Sequence, residues 1–169
     1  ELLPPVPEAW QDFLEDAQQD IRQFLQHVSG ERVYHIAVHG PSSLALGLGA
    51  IVGTRNPLVG YHFSGGRYLP VLDLTQDPRL VKTIPTDQAF RFVNVSYPDA
   101  LSEDTAIVLD LAGHIASGDV KDYLARQMPA TALVEVSNTY GGNLTTDDWV
   151  PVVQELFAVL NTLQRDGAV

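Results

Sequence analysis

The chain has no cysteine, which excludes disulfide frameworks, thiolate catalysis and Cys-ligated zinc. Positive charge is scarce: 10 Lys+Arg stand against 21 Asp+Glu, a formal charge of −11. A general nucleic-acid binder needs a broad basic face, and anionic membranes attract basic surfaces, so neither a long nucleic acid nor a membrane is an expected partner. No uninterrupted apolar run reaches the ~20 residues of a spanning helix. The opening Glu1-Leu2-Leu3-Pro4 is neither a signal peptide nor an initiator methionine. What is present suffices for one domain: 169 residues, 45% of them hydrophobic, can bury a core. These features predict a single soluble, cytoplasmic domain over 1–169, cut from a longer chain.

Hydrophobic spacing divides that domain. After a proline-rich lead-in, Trp10, Phe13, Leu14, Ala17, Ile21, Phe24, Leu25 and Val28 recur every three or four residues, an amphipathic helix that Ser29-Gly30 ends. Val33 to His39 reads as a strand, Gly40-Pro41-Ser42-Ser43 as a break with a serine cap, and Leu44 to Val52 as a helix. Leu58–Phe63 and Tyr68–Leu74 read as antiparallel strands about a Ser64-Gly65-Gly66 turn. Phe90–Val95, Ala106–Asp110 and Thr131–Val136 are further strands, and 119–127 and 149–163 further helices. Strand followed by helix occurs three times, at 33–53, 105–127 and 131–163. This predicts an α/β domain with a mostly parallel central sheet, flanked by helices and carrying a β-hairpin.

Candidate chemistry gathers where strands end. In open parallel sheets ligands bind beyond the carboxyl ends of strands, where helix N-termini offer free N–H groups. His39-Gly40-Pro41-Ser42-Ser43 occupies such a position, although a plain capped turn has the same composition. Leu111-Ala-Gly113-His114 and Ser137-Asn138-Thr-Tyr140-Gly141-Gly142 follow two later strands; Tyr140 can stack on a base and Asn138 pair with its edge. Three polar, glycine-bearing loops on one edge point to a nucleotide-like ligand. Gly47, Gly49 and Gly53 fall too far into a helix for a dinucleotide fingerprint and instead suit close helix–sheet packing and a helix end at Gly53. No Gly-x-Ser-x-Gly elbow is present, yet His39, His62, His114 and Asp110 leave a small hydrolase or phosphodiesterase open as an alternative. The histidines lack the i, i+4 pairing of a zincin, so no metal is expected.

Tyr34-His-Ile-Ala-Val-His-Gly-Pro41-Ser42-Ser43-Leu-Ala-Leu-Gly47, then Val59-Gly-Tyr61-His-Phe, then Arg67-Tyr68-Leu-Pro-Val71 resemble the SAVED domain, the sensor module of bacterial anti-phage effectors. Ile107-Val-Leu-Asp-Leu-Ala-Gly113-His-Ile115 is similar to the strand and turn opening that family's second half. The resemblance implies a Rossmann-like fold of two fused CARF-type units and binding of a cyclic oligoadenylate made by a CBASS or type III CRISPR enzyme. It further implies head-to-tail oligomerisation that activates a fused or partner effector in antiviral defence, with no catalytic residue and no cofactor in this chain. Ligand contacts then fall on His39, Gly40, Pro41, Ser42, Ser43, Gly113 and His114. Walls come from Tyr61, Tyr68 or Tyr140, with Arg67 as the cation within the quoted motifs and Asn138 as a further contact. A domain of charge −11 must grip such a ring through backbone amides, hydroxyls and a few local cations.

Overall fold

The computed structural model describes all residues except 1–5, 28–29, 31, 40–41, 54–55, 83–89, 101, 103, 112–116, 146 and 166–169. The chain forms two compact units, Glu1–Arg79 and Leu80–Val169. Among the described residues both are α/β, and each holds one three-stranded sheet.

Unit 1 begins with α1 (Pro7–His27), whose proline occupies the first helical position, where its missing N–H costs nothing. Strand β1 (Tyr34–Ala37) leads into α2 (Ser42–Val52) and then β2 (Leu58–Ser64), which lies parallel to β1 with Ala37 opposite Tyr61. A helix bridging two parallel strands is the connection such a pair requires. Gly53 ends α2: its φ of 64° is left-handed, and its N–H donates to the Gly49 carbonyl at 2.9 Å. Gly47 permits close packing, but against α1 rather than the sheet, since a Cβ there would lie 2.7 Å from Leu14 Cδ1. Strand β3 (Arg67–Asp73) returns antiparallel to β2 through Gly65 and Gly66, both at positive φ as a tight two-residue hairpin demands. Pro70, which cannot donate to a ladder, sits in this edge strand.

Unit 2 opens with a 3-10 turn at Leu80–Lys82, held to the last helix by Gln154, whose amide donates to the Leu80 carbonyl at 2.8 Å. Its strands are β4 (Val93–Ser96), β5 (Thr105–Asp110) and β6 (Ala132–Asn138), its helices α3 (Ser117–Gln127) and α4 (Trp149–Arg165). β6 is central, parallel to β5 and antiparallel to β4. Val134 and Val136 point to one face and meet Val93, Val152, Val159 and Leu163 in the core. Glu135 points to the other face, where Lys121 of α3 reaches its carboxylate at 2.8 Å.

The expected elements are found to within a few residues, but not the single sheet. The described strands form two sheets of three, each with one parallel and one antiparallel pair. Periodicity marks a strand and the face it buries; it does not name the strand's neighbours. No helix among the described residues is long and apolar enough to cross a membrane.

Candidate functional site

In unit 1 the parallel pair fixes which edge of the sheet is carboxyl-terminal. β2 runs three residues past the end of β1 and turns there into the hairpin. His39 lies exposed two residues beyond β1, and Ser42 and Ser43 open α2. Gly40, Pro41, Gly113 and His114 lie outside the described residues, as do the side chains of Ser42 and Ser43.

Aromatic side chains dominate the hairpin at this edge. Phe63 and Tyr68 are opposite in register, both half exposed, with ring centroids 5.1 Å apart and tilted by 57°. Arg67 is opposite Ser64 at the turn, on the face of the hairpin away from those rings, because successive strand residues alternate. Tyr61 is half-buried, and a 2.8 Å hydrogen bond joins its hydroxyl to His35 Nδ1, the two rings stacking at 5.8 Å. His35 was not among the expected contacts. Its signal was strand alternation, because His35, Ala37 and His39 recur every second residue and are all exposed. On β3, the Thr75 hydroxyl and N–H donate to Asp73 Oδ1 at 2.7 and 3.0 Å. Those two bonds, with a smaller contribution from His35, hold the Asp73 carboxyl below its ordinary value.

In unit 2 the corresponding edge carries the loop after β6. Asn138 is 6% exposed, and its amide is consumed within the protein. Nδ2 donates to the carbonyls of Leu111 at 3.0 Å and Gly142 at 2.5 Å, and Oδ1 accepts from the N–H groups of Tyr140 at 3.0 Å and Gly141 at 2.8 Å. An amide offers two donors and one oxygen with two lone pairs, so all four positions are taken. Instead of presenting an edge to a base, Asn138 ties the end of β5 to the loop and shapes that loop. Tyr140 is 55% exposed, its ring 6.4 Å from that of Phe92. Partial desolvation, then the nearby Asp148 carboxylate, raises its phenol above the ordinary value.

Glu155 of α4 holds the segment that enters β4, beside this loop, and escaped the sequence reading. At 7% exposure its carboxylate accepts the N–H groups of Arg91 at 2.8 Å and of Phe92 and Val93 at 2.9 Å each. Three main-chain donors satisfy a charge that burial would otherwise penalise. A signal existed: Glu155 stands three residues after Val152 and four before Val159, within the apolar stripe of α4. Asp148 precedes the helix, and its Oδ2 accepts from the Thr145 hydroxyl at 2.6 Å and N–H at 2.9 Å. Both bonds hold its carboxyl below the usual range, the hydroxyl contributing more.

The cleft among α1, α2 and β1 does not compete with these edges. At about 130 Å³ it is well under the ~300 Å³ of the smallest usual ligand pockets. Its Tyr34 also begins β1, so the cleft lies at the amino end of the strand. No group of three or more His, Asp or Glu placed to hold a metal ion occurs among the described residues. Within unit 1 the structure thus places Tyr61 and Tyr68 on one face of the hairpin and Arg67 on the other, at the edge where His39 leaves β1. Within unit 2 it places Asn138 and Tyr140 in one loop. Comparison with protein-family models and with curated proteins finds no match.

Proposed function

We propose that the chain is a non-catalytic, cytoplasmic sensor of the SAVED type that binds a cyclic oligoadenylate. Occupied copies then associate head to tail and activate a fused or partner effector in anti-phage defence. One observation carries most of the support: each unit has a parallel strand pair bridged by a helix, with one antiparallel strand added. That is the pattern expected of two fused, CARF-like, Rossmann-type sensor units. Exposed aromatics at the carboxyl edges, Phe63 and Tyr68 in one unit and Tyr140 in the other, add base-stacking surfaces. In unit 1 the ring is held by the turn between His39 and Ser43 together with Arg67. The charge of −11 favours a compact macrocycle over a strand, because local donors suffice for a small ring while a long polyanion is repelled.

Calorimetric titration with cyclic di-, tri- and tetra-adenylates tests this. Saturable heat with one ring size, accompanied by growth in light-scattering mass, is the expected result. No heat from any member, at protein concentrations well above micromolar, overturns it. Recovery of linear products after prolonged incubation would favour the phosphodiesterase alternative.

A further inference from the structure

Unit 2 contains a cation that the sequence motifs do not single out. In the β4–β6 ladder Val93 is opposite Asn138, and the Thr139 N–H continues the pairing by donating to the Phe92 carbonyl at 3.0 Å. The ladder ends there: Arg91 lies in the bend before β4 and Tyr140 in the turn after β6. The two segments are tied by the Thr139 hydroxyl on the Arg91 carbonyl and by the Tyr140 ring, 6.4 Å from that of Phe92, the residue after Arg91. The Arg91 side chain is exposed, as is more than half of Tyr140.

Both main chains are fixed. The Arg91 N–H donates to Glu155 Oε1 at 2.8 Å, and its carbonyl accepts from the Thr139 hydroxyl at 3.1 Å. The Tyr140 N–H is held by Asn138 Oδ1. A cation and an aromatic ring are thereby carried by two neighbouring, tied segments whose backbone does not have to be ordered on binding. Two carboxylates, Asp148 and Glu155, act on Tyr140, and both are engaged in bonds within the protein. Glu155 spends its oxygens on three N–H groups, and Asp148 on Thr145, with only a 3.5 Å contact from the Tyr140 hydroxyl. The positive charge of Arg91 reaches Tyr140, lowering its phenol against the larger raising effects.

We propose that Arg91 and Tyr140 form a one-nucleotide contact at the carboxyl edge of unit 2. The base stacks on the tyrosine ring and its phosphate is held by the guanidinium. Stacking on an aromatic ring and bidentate phosphate binding by arginine are complementary and need only this pair. The proposal rests on the cyclic oligoadenylate reading and assigns it a cation in unit 2 in addition to Arg67 of the unit 1 hairpin.

The test titrates cyclic tri- and tetra-adenylate into the wild-type chain and into Arg91→Ala, Arg91→Lys and Tyr140→Ala at several salt concentrations. Arg91→Ala is expected to weaken binding at least tenfold and to flatten the salt dependence, by roughly 0.7 in the log–log slope for one phosphate. Its melting temperature should stay unchanged, and Arg91→Lys should restore part of the slope. If the wild type binds but Arg91→Ala binds equally well, or loses affinity with the slope intact, the assignment is overturned and the sensor reading survives. If the wild type binds neither ring, both fall together.

Discussion

In unit 2, Val93, Val134, Val136, Val152, Val159 and Leu163 are each at most 1% exposed and pack as one cluster. Among the described residues of unit 1 only Leu74 is buried to that depth, with Leu58, Val59 and Val71 at 8–9%. Meanwhile Phe24 on α1 and Leu46 on α2 are mostly in solvent, Leu46 at 77%. The polar interior differs too. Glu155 and Asn138 are buried and saturated with main-chain partners in unit 2, whereas the His35–Tyr61 bond of unit 1 lies near the surface. Similar strand arrangements thus support different local stabilities, because stability follows buried apolar contacts and satisfied polar groups rather than topology. The lesson for function is that a strongly braced edge presents Tyr140, while a lightly packed one presents the hairpin aromatics.

The sharpest way to break this contrast is Glu155→Ala. It strips the acceptor from one buried and two part-buried N–H groups, and an N–H left unsatisfied in the interior costs about 1–3 kcal/mol. A loss of roughly 4 kcal/mol in urea unfolding is expected, and a loss under about 1 kcal/mol would show the carboxylate to be dispensable. Next comes core depth. Leu163→Ala should cost about 2–5 kcal/mol by leaving a cavity, and Leu46→Ala less than about 0.5 kcal/mol at its exposed position. Equal costs would end the distinction.

Asn138→Ala should lower stability by about 2 kcal/mol through four lost hydrogen bonds. A residue serving only as a ligand contact would leave the melting temperature unchanged. The chain's two tryptophans, Trp10 in α1 and Trp149 in α4, allow the units to be followed separately. In single-tryptophan variants made by Trp→Phe exchange, the Trp10 signal should change at lower urea than the Trp149 signal. Coincident transitions would mean that the two units unfold as one.

The smallest effect is expected from acid. Asp73 in unit 1 and Asp148 in unit 2 both have lowered pKa values, each chiefly through a threonine hydroxyl. A folded-state pKa below the unfolded one gives stability that is present above the ordinary carboxylate range and disappears as pH falls through the lowered value. Stability should therefore decline below about pH 4. Thr75→Val and Thr145→Val should each shallow that decline, as followed by melting temperature against pH. An unaltered slope in both variants would remove these aspartates as its source.

Particular residues show how far the sequence could be read. The spacing of Trp10 through Phe24 suffices to place α1, and Gly65-Gly66 between apolar runs suffices for the hairpin. Strand ends likewise marked His39 and Tyr140 as edge residues, because the carboxyl end of a strand is a local property, whereas Tyr61, Arg67 and Tyr68 entered through the resemblance. Asn138 was visible as a polar residue in the right loop, but its bonds to Leu111 and Gly142 were not. Arg91 carried no motif at all, since it gains its meaning only from the bond that ties its carbonyl to Thr139, next to Tyr140.

The amino-acid order by itself determined the helices, the strands and the tight turns, because 3.6- and 2-residue periods and glycine conformations act over a few neighbouring residues. Only the tertiary structure decided that the strands divide into two sheets, that Glu155 is an interior brace and that the segment of Arg91 is tied to that of a tyrosine. Glu155 and Arg91 are 64 residues apart in the chain. Contacts over that separation depend on which surfaces fit and which buried polar groups find partners once the chain has folded, and no local pattern encodes that choice.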